Sequence, residues 1–581
     1  MIGQSFRRTL VLSLLATAVF AQDQAPERPS GWTAKTAVTS KHDMIATANP
    51  VSTEAGYRIL RQGGSAIDAA IAAQLVLNLT EPQSSGIGGG AFLVYYQGNK
   101  KKVTAYDGRE TAPAAATPER FLDAKGAPMQ FLDAVVGGKS VGVPGTLRVL
   151  ELAHQRHGKL PWAKLFVPAI EIAERGFAMS PRLYGALAAE QRLAKDPVAR
   201  AYFYRADGTP HPVGTIIRNP EFAATLKRIA AEGPDAFYKG EIARDIVAKI
   251  RSHPTNPGDM TEADLANYRA KVREPVCGNY RAYRLCGMPL PSSGGMTVLQ
   301  MLGMLERFDM SRIEPSSLFA VHLFAEAGSL AYADRGRYMA DPDFVPLVPG
   351  LLGHDYLIAR SLQIQPGSAF DRAQPGDPAA TPRLEKVALA DDRSLEFPST
   401  SHMAIVDRYG NALSMTTTIE DVFGSRQMVR GFLLNNELTD FSMLSSEGGK
   451  PIANRVEAGK RPRSSMAPTI VFDRPGHVYA VVGSPGGSAI INYVAKTLVG
   501  ILDWHLDPQK AIDLPNIGSR NLGFVELEKN TVAAKLEPKL RALGHDVRVM
   551  DHTSGLQAIE RTKTGWVGGA DPRREGIVLG D

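Results

Sequence analysis

The sequence predicts an α+β protein, because helical and strand patterns occupy separate stretches and neither dominates. Three hairpin signals stand out, over residues 91–106, 277–286 and 401–418. Each sets two strand-like runs about a turn, and the last opens with polar and apolar residues in alternation. Helical periodicity covers residues 52–79 and most of 145–270. At 581 residues the chain is too long for one small core. It is 44% hydrophobic and 22% charged, the balance of a soluble globular protein rather than a disordered one. A net charge of +6, with no basic tract, gives no reason to expect nucleic-acid binding.

Arg7 and Arg8 precede the apolar run from Leu10 to Phe20, and Ala21 closes a small-residue site. This is the pattern of a secretory signal peptide over residues 1–21, cut after Ala21. Eleven apolar residues are too few to span a bilayer, and no other run reaches about 18. A secreted, periplasmic protein without a membrane span is therefore expected. Residues 22–35 read as a flexible leader.

Ser52 to Gln62 reads as a helix capped by Ser52 and stopped at Gly63-Gly64. Ser65 with Asp68 forms a capping box ahead of Ala66 to Leu79, a helix apolar on most faces and therefore buried. In Glu81 to Gly90 the glycines call for a sharp turn or close backbone approach. The hairpin about Gly98-Asn99 then delivers Asp107 to Pro113. If Tyr280 to Tyr283 makes a two-residue turn, Cys277 faces Cys286 across a non-hydrogen-bonded pair, where side chains approach most closely. An oxidising compartment would allow a disulfide there; two free buried thiols are the alternative. Met296 to Phe308 is an apolar helix, and residues 364–398 read as a long exposed segment. Beyond it come the 401–418 hairpin, strands over 431–434, 469–472 and 479–482, and a helix from Ala489 to Leu502.

Several catalytic motifs fail on context. Gly138-Lys139-Ser140-Val141-Gly142 has the spacing of a nucleophile elbow but lacks the strand before it and the helix after it. The same Gly-Lys-Ser is not a phosphate loop, because Asp133 stands where its first glycine belongs. No His-Glu-x-x-His pattern occurs, and two cysteines do not make a zinc cluster. No metal or cofactor is indicated.

What remains is a set of polar loops at strand ends. Thr400, in Ser399-Thr400-Ser401, is the candidate nucleophile. An internal threonine has no base of its own. One that becomes a chain terminus gains an α-amino group with a pKa of roughly 7.7–8.0, suited to taking its proton. Arg109 suits a carboxylate clamp, or a surface ion pair. Glu437 and Asp440 suit an ammonium group, or turn capping. Ser464 and Ser465 are candidate donors to a carboxylate. Gly486 and Gly487, at a helix start, offer amides to an oxyanion, or allow close packing.

In order along the chain, Arg109-Glu110-Thr111-Ala112-Pro113, Pro291 to Gly295, Thr400-Ser401-His402, Asn435-Asn436-Glu437 through Ser442, Arg461 to Met466, Gly483 to Gly487 and Asp571 to Gly576 resemble the signatures of the γ-glutamyltransferases (γ-glutamyl transpeptidases, glutathione hydrolases). The resemblance implies an N-terminal-nucleophile hydrolase fold, a four-layer αββα sandwich. It implies a precursor that cuts itself between Ser399 and Thr400 into a heterodimer of a large subunit, 22–399, and a small catalytic one, 400–581. By the same resemblance Thr400 attacks, and Thr418 bonds the new terminus. Arg109, Ser464 and Ser465 hold the substrate's α-carboxylate, while Glu437 and Asp440 hold its α-ammonium. Gly486 and Gly487 form the oxyanion hole. The implied donors are glutathione and other γ-glutamyl compounds, and the acceptors are water, amino acids or dipeptides.

Two departures bear on specificity. Glu420 stands where many members have asparagine, next to the ammonium site. The stretch from Asp440 to Ser464 is short and lacks tyrosine, which implies an open cleft without the lid that longer members carry. A glutaryl-cephalosporin acylase, a γ-polyglutamate depolymerase and a non-catalytic binding protein are the alternatives.

Overall fold

The computed structural model describes residues 30–378, 389–392, 394, 396, 397 and 399–581. The expected signal peptide over 1–21 lies outside the described residues. No helix among them is long and apolar enough to cross a membrane.

Two seven-stranded antiparallel sheets form the centre. The first runs, edge to edge, Ile577–Gly580, Met44–Thr47, Ser401–Val406, Ala412–Thr418, Gly90–Gln97, Lys102–Gly108 and Lys271–Arg273. The second runs Val38–Ser40, Trp566–Ala570, Gln557–Arg561, Val478–Gly483, Thr469–Phe472, Tyr283–Gly287 and Val276–Tyr280. Alternation along Ser401–Val406 shows how they stack. Met403 and Ile405 enter an apolar core shared with the helices Pro50–Arg61, Ala66–Thr80 and Trp162–Arg175. Ala404 and Val406 point the other way, into a core shared with Ile470, Val481 and Ile559 of the second sheet. Beyond that sheet lie Gly294–Leu305, Leu318–Tyr338 and Ile490–Leu502. The order is helix, sheet, sheet, helix: the four-layer αββα sandwich of the N-terminal-nucleophile hydrolases. Both sheets are covered on both faces, so even the polar residues of the central strand Ala412–Thr418 are buried.

Local chemistry explains the elements. The Ser65–Asp68 capping box forms as predicted, and every residue of Ala66–Thr80 is buried. The first helix starts earlier than expected. Pro50 occupies its first turn, and the Asn49 side chain, not Ser52, accepts from the Val51 amide. Proline at that position loses nothing, because its missing N–H would have had no helical partner. In the glycine loop, a Cβ on Gly89 would sit 2.0 Å from the Thr418 carbonyl oxygen. Glycine there lets the loop press against the end of the central strand. Cys277 pairs with Cys286 in the hairpin register, and a disulfide joins them.

Two expectations need correction. Residues 30–35 are not a loose leader: the Thr33 amide donates to Pro572 O, and Lys35 Nζ donates to the carbonyls of Asp571 and Arg574 at 2.6 and 2.7 Å. The segment 364–398 is not exposed throughout. Glu396 is buried, as are Ser399 and Thr400 just beyond it. Its carboxylate is drawn inward by the buried guanidinium groups of Arg335 and Arg463.

Candidate active site

Thr400 immediately precedes the strand Ser401–Val406, third in the first sheet, and Thr418 ends the strand beside it. Continuing the register one step beyond Ser401–Thr417 sets the two threonines opposite each other. The Thr400 hydroxyl lies 3.4 Å from Thr418 Oγ1. Thr418 donates in turn to the Ser399 carbonyl oxygen at 2.8 Å and accepts from the Glu420 amide at 2.8 Å. A hydroxyl polarised by an amide and aimed at the carbonyl before Thr400 favours negative charge on that oxygen. The Ser399 side chain donates to Gln83 O, and Arg574 donates to the Thr400 carbonyl at 3.0 Å. The Ser399–Thr400 peptide is therefore held on both sides.

Beside it lies a polar cluster. Arg109 is fully buried, and its guanidinium pairs with Glu437 and Asp440 while donating to the carbonyls of Pro462 (3.1 Å) and Arg463 (2.9 Å). Glu110 and Glu420 complete a group of four buried carboxyls. Burial, and then the neighbouring carboxylates, push Glu110, Glu420 and Asp440 well above the usual carboxylate range. Glu437 rises by burial too, against the pull of Arg109. Glu420 adopts a left-handed backbone (φ 75°), and its carboxylate accepts from Asn436.

Glu396 completes the cluster. Burial would raise its pKa, but Arg335 and Arg463, with the Ser465 hydroxyl, hold it at about 2. Ser465 donates to Glu396 and accepts from Arg335 at 2.7 Å. Ser464 Oγ accepts from the Met466 amide, while its carbonyl takes both donors of Ser293. On the far side the chain turns through Gly486 (φ 137°) and Gly487 (φ 55°) into the helix Ile490–Leu502.

These groups surround a cavity of about 20 Å³, lined by Arg109, Glu396, Phe397, Thr400, Thr418, Glu420, Glu437, Asp440, Ser464, Ser465 and Gly487, among others. Of the predicted catalytic and substrate-binding residues only Gly486 falls outside the lining, although it adjoins Gly487. That volume holds about one water, and Glu396 and Phe397 are among the groups that line it. Sequence reasoning missed Glu396, Arg335 and the direct role of Arg574. Arg463 and Arg574 lay within motifs already singled out, but Glu396 gave no local signal.

A buried threonine immediately before a central strand of a four-layer αββα sandwich is the arrangement of an N-terminal-nucleophile enzyme. The family model described as Gamma-glutamyltranspeptidase matches residues 52–580. The chain is 37% identical to a glutathione hydrolase proenzyme of Bacillus subtilis (strain 168), over 98% of this chain and 97% of the relative. It is 35% identical to that of Escherichia coli (strain K12), over 98% and 97%. Among solved structures it is similar to a cephalosporin acylase from Bacillus halodurans, with TM-score 0.82, 28% identity, and 96% and 99% coverage. The chain belongs to the γ-glutamyltranspeptidase family.

Proposed function

We propose that this protein is a γ-glutamyltransferase and glutathione hydrolase that activates itself at Thr400. The observation that carries this reading is the shared cavity. A threonine hydroxyl, a guanidinium, paired carboxyls and a helix-start amide converge on a space one water wide.

Activation comes first. Thr400 Oγ1 attacks the Ser399 carbonyl carbon, and Thr418 donates to the oxygen as it gains charge. The C–N bond breaks, the chain passes to the hydroxyl as an ester, and the nitrogen becomes a free amine. Water then cleaves the ester, leaving Ser399 as a new carboxyl end and Thr400 as a new amino end. The amine is the base that the internal threonine lacked. Freed, the chain before Thr400 withdraws Glu396 and Phe397. The 20 Å³ space then joins a neighbouring cavity of about 290 Å³ that Glu396 also lines, bordered by Arg335, Arg372, Arg463 and Arg520.

Charge selects the donor. A γ-glutamyl group carries an α-carboxylate and an α-ammonium. Inserted between Arg109 and its acidic partners, it gives each side a new partner of opposite charge and leaves the net charge unchanged. Arg109, Ser464 and Ser465 take the carboxylate; Glu437, Asp440 and Glu420 take the ammonium. The γ-carbonyl is thereby fixed against Thr400, so binding energy goes into orientation. Attack gives an oxyanion at the Gly486 and Gly487 amides, then a γ-glutamyl ester as the amine departs. Water yields glutamate; an amino acid or dipeptide yields a new γ-glutamyl amide. The arginine-lined neighbouring cavity suits anionic leaving groups and acceptors. By the signal pattern at its start, the protein is exported to the periplasm.

Comparing γ-glutamyl-p-nitroanilide with glutaryl-p-nitroanilide tests the reading, because the glutaryl group lacks the ammonium. Preference for the γ-glutamyl substrate is expected. The similarity to a cephalosporin acylase makes the opposite preference the second reading, and that result would sink the first.

A further inference from the structure

On the far side of the second sheet, His322, Glu326 and His545 bring their ligand atoms within 4.8 Å of one another, all three buried. His322 and Glu326 lie four residues apart on Leu318–Tyr338, hence on one face of that helix. His545 stands between the helix Glu537–Ala542 and the strand Val547–Met550, after Gly544 in a left-handed turn (φ 100°).

The hydrogen bonds set the tautomers and turn the proposed donor atoms toward one another. His322 Nε2 is 2.8 Å from the Gln365 carbonyl oxygen. A carbonyl only accepts, so that nitrogen carries the proton and Nδ1 keeps its lone pair. Nδ1 faces His545 Nε2 at 2.7 Å. A ring nitrogen fixed by a backbone carbonyl, with its lone pair turned inward, is how metal-binding histidines are usually oriented. Glu326 is 1% exposed; its carboxyl accepts from the Phe370 amide, and Oε2 has no hydrogen-bond partner. An unpartnered carboxyl oxygen at such depth is costly and calls for a cation.

We propose that His322 Nδ1, His545 Nε2 and the Glu326 carboxylate form a structural site for Zn²⁺. Two imidazoles and a carboxylate are a borderline-soft donor set that suits zinc over calcium or magnesium. Ligands on tetrahedral zinc stand roughly 3.3 Å apart, so the rings separate by about half an ångström on binding. On binding, His545 moves its proton from Nε2 to Nδ1, and the Glu326 carboxyl gives up its own to solvent. Two ligands precede Thr400 and one follows it. On the cleavage proposed above, the ion therefore ties the large subunit to the small one.

The test uses the full-length, tag-free processed enzyme, stripped with a chelator and titrated calorimetrically with ZnCl₂. Cobalt(II) absorption reports coordination geometry. One zinc per heterodimer is expected, with a tetrahedral cobalt spectrum. Affinity falls by about 100-fold or more in His545→Gln and Glu326→Gln and returns in His545→Cys, which restores a zinc ligand. Circular dichroism of the stripped variants checks their folding. Zinc should also raise the urea midpoint for subunit separation in the wild type and in His545→Cys, but not in the two Gln variants. Failure of the stripped wild type to bind zinc, or equal binding by both Gln variants, would overturn the site. Binding that leaves the urea midpoint unmoved would overturn the clamp.

Discussion

Arg109 stands between Glu437 and Asp440 in a space from which solvent is excluded, and that placement governs the residue-scale predictions. Removing one partner of a buried pair costs about 2–5 kcal/mol. Asp440→Asn is therefore expected to cut kcat/KM for γ-glutamyl-p-nitroanilide by about 30-fold or more, with a smaller effect on the glutaryl analogue. Steady-state kinetics with both substrates would show it. The four carboxyls also give a pH prediction. Their pKa values are raised in the folded state, so below that range they are protonated and bind an ammonium weakly. The γ-glutamyl preference should grow as pH rises and they ionise. Stability runs the opposite way. A raised folded pKa contributes stability at low pH that is lost as pH rises through it. Glu420 is buried among like-charged neighbours, and the hydrogen bond from the Asn436 amide offsets these effects only in part. Glu420→Gln should therefore stabilise the protein at pH 8 and hardly at all at pH 4. Thermal melts at the two pH values measure this.

At the scale of elements, the two sheets are in close contact where Gly483 packs on His402. A Cβ on Gly483 would lie 2.1 Å from His402 Cε1. The imidazole is bonded to Thr416 at 2.9 Å, and burial lowers its pKa to about 3, so it is a neutral packing group rather than a catalytic base. Gly483→Ala must push the sheets apart and is expected to cost about 1–3 kcal/mol, seen as an earlier urea midpoint. The disulfide hairpin makes a separate prediction. Its cystine closes a loop with a sequence separation of 9, for which chain entropy alone gives about 2–3 kcal/mol. Replacing both cysteines with serine should lower stability by up to that amount without touching the cavity.

For the whole molecule, the proposed cut at Ser399–Thr400 does not release separate bodies, because both sheets are built from strands on either side of it. In the first sheet, Met44–Thr47 from before the cut pairs with Ser401–Val406, and Gly90–Gln97 pairs with Ala412–Thr418. In the second, Tyr283–Gly287 pairs with Thr469–Phe472, and Val38–Ser40 with Trp566–Ala570. The processed protein should therefore elute as one species in native gel filtration yet give two bands on denaturing gels. N-terminal sequencing of the smaller band should read Thr-Ser-His-Met. Thr400→Ala should give one uncut, inactive chain. Thr418→Val, which removes the donor to Ser399, should slow processing by about 10- to 100-fold.

Patterns close together in the chain were legible from residues alone: the Ser65–Asp68 box, the 401–418 hairpin, the register that faces Cys277 with Cys286, and the polar loops at strand ends. Each depends on neighbours a few positions away, where spacing and propensity act directly. Thr400 as the organising residue came from that local reading joined to a resemblance across many ordered motifs. Only the tertiary structure decided that Glu396 turns inward, because the guanidinium groups that draw it there lie 61 and 67 positions away. It alone brought His545 to His322 across 223 positions. Buried charge is settled by whatever partner the folded chain delivers, and a one-dimensional pattern does not carry that information.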